Sequence, residues 1–307
     1  MNVIKRKIHT MLHTPRIFMK KFSGLPVFRL LPDKLALQIM YRNAFLKKLD
    51  LKDPKTFNEK LQWLKLYDRK PEYTMMVDKY AVKQYVADLI GEQYIIPTLG
   101  VWDRFEDIDF DQLPDQFVLK CTHGSGDTVI CRDKKHFDKT AAKERLTKSL
   151  NTDYYKISRE WPYKNVPRRI IAERFLHFEG NESRTVNDYK FLCFNGDPKY
   201  LMVASERNHE KKTAFFDYFD MEFNACDFLQ EGEVNSPAKV QCPTCFAEMK
   251  RIVRVLANKM PHVRVDLYEC QGRVYFGEIT LYNAGGFSKF EPNEWDRKLG
   301  DLIDLAF

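Results

Sequence analysis

A glycine-rich loop between two strand-like segments constrains the fold of this chain most strongly. The stretch FVLKCTHGSGDTVI runs from an apolar segment that ends at Lys120, through His-Gly-Ser-Gly, into a second apolar segment. Phosphate-binding loops of the GxxxxGK[ST] and GxGxxG types lead from a strand into a helix. The residues after Gly126 are instead strand-like, which predicts a flap on a hairpin. Backbone N–H groups in such a flap, with a nearby lysine, suit a polyphosphate; an ordinary tight turn is the alternative.

Two acids in the last predicted hairpin, HVRVDLYECQGRVYFGEIT, are the second constraint. Asp266 and Glu278 lie among apolar residues of the kind that are normally buried. If the turn contains a glycine bulge at Gly272, the cross-strand register places both acids on one face, together with Arg264 and Thr280. Paired carboxylates and a hydroxyl suit Mg²⁺ shared with a phosphate. A structural ion pair between Arg264 and Glu278 is the alternative.

Helical and strand-like patterns alternate along the rest of the chain. Thr56 and Glu59 form a capping box at the start of one helix. Asp78 is placed to cap a second helix that ends at Gly91, ahead of a short strand in QYIIP. Further predicted elements are a helix at 138–150, a strand in RRIIAERFL, a hairpin that turns at Asn195-Gly196, two short strands in TAFFDYFDMEF and a helix at 244–260.

The positive charge is concentrated at the start of the chain. The first 48 residues hold eleven Lys or Arg and one acid, a balance of +10 within a net charge of +7. Apolar residues recur there at helical spacing, at Ile4, Ile8, Met11 and Leu12, without the continuous apolar core of a signal peptide. This predicts a basic helix that contacts an anionic membrane face or polymer, or one that packs on the rest of the protein. Nucleic acid binding is not expected, because no recognisable reading module accompanies the basic stretch.

The cysteines indicate a reducing compartment. Seven cysteines, an odd number, are scattered through the chain. We therefore expect reduced thiols in a cytoplasmic protein, with the basic leader in peripheral contact with the inner membrane face as an open possibility. Cys242 and Cys245 form a lone CPTC; two small residues entering a helix are favoured over a metal or redox site.

The order of these motifs resembles the ATP-grasp superfamily. It runs from a lysine at a helix start, through a lysine before a glycine flap, a Glu in a short apolar strand and a lysine in a hairpin, to Arg-x-Asp and Glu-x-Thr in the terminal hairpin. The segments TFNEKLQWLKLYDR, VDKYAVKQYV, FVLKCTHGSG, DYKFLCFNG, VRVDLYE and GEITLYNAGG are similar to its teichuronopeptide-biosynthesis (TupA-like) branch, from about residue 54 to 300.

That resemblance implies an α+β ATP-grasp fold, in which two α+β sub-domains grip ATP between antiparallel sheets. The expected divisions are a basic helical leader at 1–50, an N-terminal α/β sub-domain at 51–115, a flap sub-domain at 116–180, and a C-terminal sub-domain with the metal site at 181–307. The cofactors implied are ATP and Mg²⁺.

The resemblance also implies a nucleotide site. Lys79 and Lys120 match the lysines that touch the ATP phosphates. Glu173 matches the acid of the linker that binds adenine, where backbone groups of the following residues read the base. The remaining nucleotide-binding residues implied are His123, Gly124, Ser125 and Gly126 in the flap and Arg174, Phe175 and Leu176 in the linker. His123 either touches phosphate or substrate, or is a satisfied turn histidine.

Catalytic and metal-binding roles follow in the same way. Lys190 matches a third lysine on the phosphate side, and Arg264 matches the arginine that steadies the transferred phosphoryl group. Asp266 and Glu278 match the magnesium ligands. The family's usual Glu-x-Asn ends here as Glu278-x-Thr280, so either Thr280 or Asn283 completes the metal site, and Gly285 and Gly286 are placed to supply backbone donors.

The function implied is an ATP-dependent carboxylate–amine ligase that acts through an acyl phosphate. Its expected substrates are a uronic acid of a cell-surface polysaccharide or its precursor, and an amino acid or other amine. Members of the branch are often labelled glycosyltransferase-like, and a glycosyltransferase is the alternative, with its metal motif at Asp107-Ile108-Asp109 in the acidic run FEDIDFDQ. A non-catalytic adaptor that binds anionic polymer or membrane is a third possibility.

Overall fold

The computed structural model describes residues 30–176, 187–208 and 213–306. The described chain begins with the helices α1 (Asp33–Phe45), α2 (Phe57–Tyr67), α3 (Tyr73–Val77) and α4 (Ala81–Ile90). The basic leader helix predicted from the sequence falls within the first 29 residues, and therefore lies outside the described residues. No helix of the described part is both long and apolar enough to cross a membrane.

The predicted helix starts in this region are confirmed. Thr56 Oγ1 accepts the N–H of Glu59 at 3.3 Å, and Glu59 Oε2 accepts the N–H of Thr56 at 3.1 Å, which completes the capping box of α2. Asp78 Oδ1 accepts the N–H groups of Tyr80 and Ala81 at 2.9 and 3.3 Å, so it caps α4.

The strand predicted in QYIIP is wrong. Residues Glu92–Tyr94 form a 3-10 turn, and Ile95 makes only an isolated bridge to Phe276. Pro97 has no N–H to donate to a ladder, and regular pairing begins just after it, in β1 (Thr98–Trp102).

A four-stranded antiparallel sheet follows. It contains β1, β2 (Phe117–Cys121), β3 (Val129–Cys131) and β4 (Ile170–Arg174) in the order β1-β4-β2-β3. The predicted hairpin around the glycine loop is therefore confirmed. Alternation along β2 buries Phe117, Leu119 and Cys121 in a core shared with helix α5 (Lys139–Leu150), which leaves Lys120 on the opposite face. The short helix α6 (Tyr155–Ser158) follows α5.

A five-stranded antiparallel sheet forms the other half of the molecule. It contains β5 (Asp188–Phe194), β6 (Asp197–Asn208), β7 (Thr213–Phe219), β9 (His262–Cys270) and β10 (Arg273–Thr280), in the order β10-β9-β5-β6-β7. Helix α7 (Phe246–Ala257) packs its apolar side into the largest core against this sheet. Two short strands, β8 (Leu229–Gln230) and β11 (Phe290–Glu291), pair with each other, and helix α8 (Glu294–Asp301) follows.

The segment TAFFDYFDMEF differs from the prediction of two strands. It contains the single strand β7, after which the chain turns. Asp220 Oδ1 accepts the N–H groups of Glu222 and Asn224 at 3.0 and 2.8 Å, and Phe223 takes a positive φ of 63°. The aspartate side chain therefore satisfies backbone groups that a second strand would have used.

The terminal hairpin places Asp266 opposite Glu278, as predicted, but the bulge responsible lies at another position. Cys270 pairs with Arg273, so Gln271 and Gly272 form a two-residue turn without a bulge, both with positive φ. The register shifts instead between Phe276 and Glu278, at Gly277, and this bulge pairs Glu278 with Asp266. The predicted bulge at Gly272 is wrong, whereas the convergence of the two acids is confirmed.

Candidate functional site

A cleft of about 250 Å³ lies between the two larger sheets. Strands β2 and β4 line one side of the cleft, and strands β5, β9 and β10 line the other side. Most of the residues singled out in the sequence line it: Lys79, Lys120, Ser125, Gly126, Glu173, Arg174, Phe175, Leu176, Lys190, Asp266 and Glu278. The cleft therefore brings together residues that lie far apart in the sequence, from Lys79 to Glu278.

The glycine loop covers one end of the cleft with backbone groups. The N–H groups of Gly124, Ser125 and Gly126 donate no hydrogen bond to any described residue. Gly126 has a φ of +84°, a conformation that favours glycine. Asp127 holds the base of the loop, since its Oδ2 accepts the Cys121 N–H at 3.0 Å. The loop thus presents free donors above a lysine-lined cleft, as an anion site requires.

Lys79 is held at the edge of this loop. Its backbone N–H donates to the carbonyl of Thr122 at 3.1 Å, and its ammonium donates to the carbonyl of Gly124. Asp78, one residue earlier, pairs with Arg169 at 3.2 Å. A lysine at a helix start is electrostatically unfavourable by itself. Here the contacts with the loop hold it in place and direct it towards the cleft.

Glu173 forms ion pairs with two lysines beside the cleft. Lys83 Nζ and Lys120 Nζ each lie 2.6 Å from one of its carboxylate oxygens, and only 6% of the Glu173 side chain is exposed. Burial alone would raise the pKa of Glu173, but Lys120 and then Lys83 hold it below its ordinary value. Lys83 was missed in the sequence; its position one helical turn after Lys79 was the available signal.

Three adjacent strands place Lys190, Asp266 and Glu278 in a row. Lys190 pairs with Asp266 in the ladder between β5 and β9, and Asp266 pairs with Glu278 between β9 and β10. The Lys190 ammonium donates to Asp266 and lies 2.9 Å from Asp188 Oδ2. Residues paired in this way share one face of a sheet, so the register itself assembles the group.

Arg264 binds both acids of the hairpin. Its Nε and Nη2 donate to the two oxygens of Asp266 at 2.7 and 2.8 Å, and Nη2 also donates to Glu278 Oε1 at 2.9 Å. Its Nη1 donates to Asn283 Oδ1 at 2.9 Å. The ion pair considered as an alternative for Arg264 and Glu278 is therefore present. It is compatible with a metal site, because both carboxylates also face the cleft.

Glu278 is the more accessible acid, with 34% of its side chain exposed, against 1% for Asp266. Burial opposes its charge, yet Lys79 first, and then Arg264 and Lys190, hold the pKa of Glu278 well below its usual range. Thr280 Oγ1 donates to Glu278 Oε1 at 3.3 Å. Glu278 is consequently ionised at neutral pH and surrounded by cations.

Several predicted residues lie elsewhere. The His123 ring approaches the carbonyls of Ser149 and Thr152 at the end of α5, at 3.1 and 3.3 Å, and burial lowers its pKa. Three other residues predicted for the site line a second cavity next to the cleft: Gly124, Arg264 and Thr280. Arg132, which the sequence did not single out, lines the cleft with its guanidinium 5.0 Å from the Phe175 ring centre.

Neither alternative motif reaches the cleft. Asp107 ends a 3-10 turn and pairs with Arg104 at 2.6 Å on the surface, while Asp109 is exposed. Cys242 is exposed, and the Cys245 thiol lies 3.2 Å from the carbonyl of Gly272. Within the described residues, no three His, Cys, Asp or Glu side chains form a metal-binding group.

The donors in the cleft fit magnesium bound together with a nucleotide. Asp266 and Glu278 offer hard carboxylate oxygens in paired positions. Magnesium commonly takes one or two carboxylates from the protein and the rest of its ligands from phosphates and water. Three lysines and the free N–H groups of the loop provide for the phosphates. The residues present therefore fit both Mg²⁺ and ATP.

The chain matches a known family and is similar to solved structures. A family model described as TupA-like ATPgrasp matches residues 59–304, well over half of the chain. No curated protein matches the sequence. The solved D-alanine-D-alanine ligase from Helicobacter pylori aligns with 81% of this chain and 69% of its own, at 16% identity and a TM-score of 0.38. The solved L-amino acid ligase from Bacillus licheniformis aligns with 85% of this chain and 58% of its own, at 15% identity and a TM-score of 0.45.

The family match defines the class of protein: it is an ATP-grasp enzyme, an ATP-dependent ligase that uses ATP and Mg²⁺. Within that class, the chain belongs to the TupA-like ATP-grasp family. The predicted α+β ATP-grasp fold is thereby confirmed. The roles assigned to individual side chains stay predictions.

Proposed function

We propose that the protein joins a carboxylate to an amine through an acyl phosphate, with a uronic acid of a cell-surface polysaccharide or its precursor as the carboxylate. The observation that carries the reaction type is the row formed by Lys190, Asp266 and Glu278, facing Lys120 and the free N–H groups of the loop. The uronic acid is inferred from the resemblance to the teichuronopeptide-biosynthesis branch.

In this proposal the cleft neutralises a triphosphate with fixed charges. Lys79, Lys120 and the loop N–H groups bind phosphate oxygens, and the backbone of residues 174–176 lies where it can hydrogen-bond a base. Lys120 can donate to a phosphate oxygen while it stays paired with Glu173, because an ammonium carries three N–H donors. Positioning and charge neutralisation are the main contributions a protein makes to phosphoryl transfer.

The two acids of the terminal hairpin lie where the transferred group is handled in this proposal. Asp266 and Glu278 would hold Mg²⁺, which when bound supplies charge neutralisation between the phosphates. Arg264 and Lys190, already hydrogen-bonded to Asp266, steady the phosphoryl group beside it. The loop excludes water, and this protects an acyl phosphate from hydrolysis until the amine attacks.

A cytoplasmic location, with the basic leader in peripheral contact with the inner membrane face, completes the proposal. It rests on the +10 balance of residues 1–48, since an anionic membrane surface attracts clustered lysines and arginines. Such a location would bring the enzyme to precursors of the cell envelope.

The test is a matrix of uronic acids and amino acids with Mg²⁺ and ATP, scored for ADP release and for the mass of an amide product. We expect ADP release that depends on both substrates. Transfer of sugar from a nucleotide sugar without ATP would favour the glycosyltransferase instead. Tight polymer binding without any turnover would favour the adaptor.

A further inference from the structure

A second cavity of about 500 Å³ opens beside the nucleotide cleft. The two share Ser125 of the glycine loop and Glu278 of the terminal hairpin as lining residues. A molecule in the second cavity would therefore meet the cleft at its acidic end. On the proposed function, that is the end at which the acyl phosphate forms.

The charges of this cavity favour a cation. Among the described residues that line it, Arg264 is the only basic side chain, and its donors are already directed at Asp266, Glu278 and Asn283. Glu160 and Glu278 contribute two carboxylates. A bound carboxylate would meet no unpaired basic side chain here, only the N–H groups at the edge that the cavity shares with the loop, whereas an ammonium group would find two carboxylates.

Glu160 is the group placed to receive it. The residue is only 6% exposed, and its Oε1 accepts a hydrogen bond from the Ser158 hydroxyl. Its other oxygen accepts none from the described residues, and the side chain lines the cavity. Burial raises the pKa of Glu160 above its ordinary value, with Lys65 opposing.

Lys65 supports this arrangement from behind the cavity wall. Its ammonium is fully buried and donates to the carbonyls of Ser158 and Gly285, at 2.8 and 2.7 Å, and to Gln62. It therefore holds the backbone of Ser158 and Gly285, which both line the cavity, without forming a direct ion pair with Glu160. The carboxylate remains available for a ligand.

Aromatic rings form the remaining walls. Tyr154 and Tyr163 meet edge to face with ring centres 4.8 Å apart, and Tyr282 and Phe287 also line the cavity. The negative faces of aromatic rings attract cations. A buried carboxylate within aromatic walls is a favourable site for a small ammonium ion.

We propose that this cavity binds the amine substrate, a small primary amine, with Glu160 as the group that holds its ammonium and then takes a proton from it. This inference rests on the proposed ligase function. The free amine attacks the acyl carbon, a C–N bond forms, and the C–O bond to phosphate breaks with its electron pair on the phosphate oxygen. The second proton of the attacking nitrogen passes to that phosphate, which leaves an amide and inorganic phosphate.

The test separates amine binding from acyl phosphate formation. Hydroxylamine is mostly uncharged at neutral pH, so it can trap an acyl phosphate without a residue that removes a proton first. Wild type and Glu160→Gln are assayed with Mg²⁺, ATP and each of glucuronate and galacturonate, once with hydroxylamine and once with the twenty amino acids, ethanolamine and putrescine. Glu144→Gln, on the exposed side of α5, is the matched control.

We expect Glu160→Gln to lose about 100-fold in amine-dependent ADP release, the scale of a lost general base. Its hydroxamate formation should stay within about twofold of wild type, which a general structural defect would not allow. Undiminished amine turnover in Glu160→Gln, or a wild type that makes hydroxamate but uses none of these amines, overturns the amine site. A wild type that makes no hydroxamate and releases no ADP overturns the proposed function instead.

A second variant covers the case in which Glu160→Gln does not fold. Ile157 lines the second cavity and not the cleft, so Ile157→Trp should fill the former and leave the latter open. We expect unchanged ATP affinity by calorimetry together with loss of amine turnover. Full amine turnover in this variant overturns the proposal.

Discussion

The buried pair of lysines on Glu173 gives a sharp stability prediction. Glu173→Gln keeps the shape of the side chain but removes its charge, so Lys83 and Lys120 lose the anion that each contacts at 2.6 Å. The two lysines contact different oxygens of the carboxylate, so the amide oxygen can face only one of them and its NH₂ group faces the other ammonium. Two cations with 11% and 14% exposed side chains are then left without their carboxylate.

The expected cost follows from that burial. Removing one partner of a buried ion pair typically costs about 3–5 kcal/mol, because the remaining charge is left uncompensated. Lys83 keeps a hydrogen bond to the carbonyl of Ile96 at 2.6 Å, so we expect the lower end of the range. The matched control is Glu231→Gln, which removes an exposed partner 3.9 Å from Lys289 and should cost at most about 1 kcal/mol.

Urea denaturation of wild type and both variants, repeated across pH, is the assay. The folded-state pKa of Glu173 lies below its ordinary value of about 4.3, so its ionised form stabilises the fold. This contribution is fully present above the unfolded-state pKa and is lost as the pH falls through the folded-state pKa. The difference between wild type and Glu173→Gln should therefore be constant near neutral pH and shrink in acid.

Two results would refute this reasoning. A loss in Glu173→Gln no larger than that in Glu231→Gln would mean that the buried lysines find other partners. A difference in unfolding free energy that persists unchanged in acid would mean that it does not come from the carboxylate charge.

Three further predictions concern nucleotide binding, the strand bulge and the leader. Lys120→Ala should weaken ATP binding by about 1–3 kcal/mol in calorimetry, and unchanged affinity in a folded variant would refute its role. Gly277→Ala places a Cβ 2.9 Å from Tyr268 Cε2 and 3.0 Å from the Asp266 carbonyl, so it should cost about 1–3 kcal/mol of stability and reduce turnover; wild-type melting and turnover would contradict this. Deletion of residues 1–24 should preserve ADP production but reduce binding to anionic vesicles at low salt; a full-length protein that binds no vesicles would contradict this.

The sequence predicted the elements whose side chains alternate with a regular period. Apolar alternation around Asp266 and Glu278 was enough to place both acids on buried strands that face each other. It was not enough to locate the bulge, because the special position of Gly277 depends on how closely Tyr268 approaches from the facing strand. The local pattern therefore predicted that Asp266 and Glu278 pair, but not the bulge at Gly277 that pairs them.

Residues whose partners lie far along the chain were harder to predict. Lys83 sits in a helix that the sequence predicted, but its contact with Glu173 spans 90 positions and depends on the docking of α4 against the sheet. Glu160 lies in a polar, aromatic connector whose burial follows from packing against Lys65 and Gly285. The ring of His123 contacts carbonyls at the end of α5, and the loop sequence had left this open beside a contact with phosphate.

Metal-dependent nucleotide binding tests the central claim, that Asp266 and Glu278 hold the magnesium of Mg²⁺-ATP. The measurement is calorimetric titration of a non-hydrolysable ATP analogue, with and without Mg²⁺, into wild type, Asp266→Asn and Glu278→Gln. Glu294→Gln, in an exposed pair on α8, is the control.

We predict that Mg²⁺ tightens binding at least about tenfold in wild type and in the control, or about 1.4 kcal/mol. In Asp266→Asn and Glu278→Gln the metal-free affinity should be equal or higher, because an acid beside the phosphates has been removed, and the gain from Mg²⁺ should be lost. The same gain from Mg²⁺ in either acid variant as in wild type would contradict the account and leave the hairpin acids as an ion pair with Arg264.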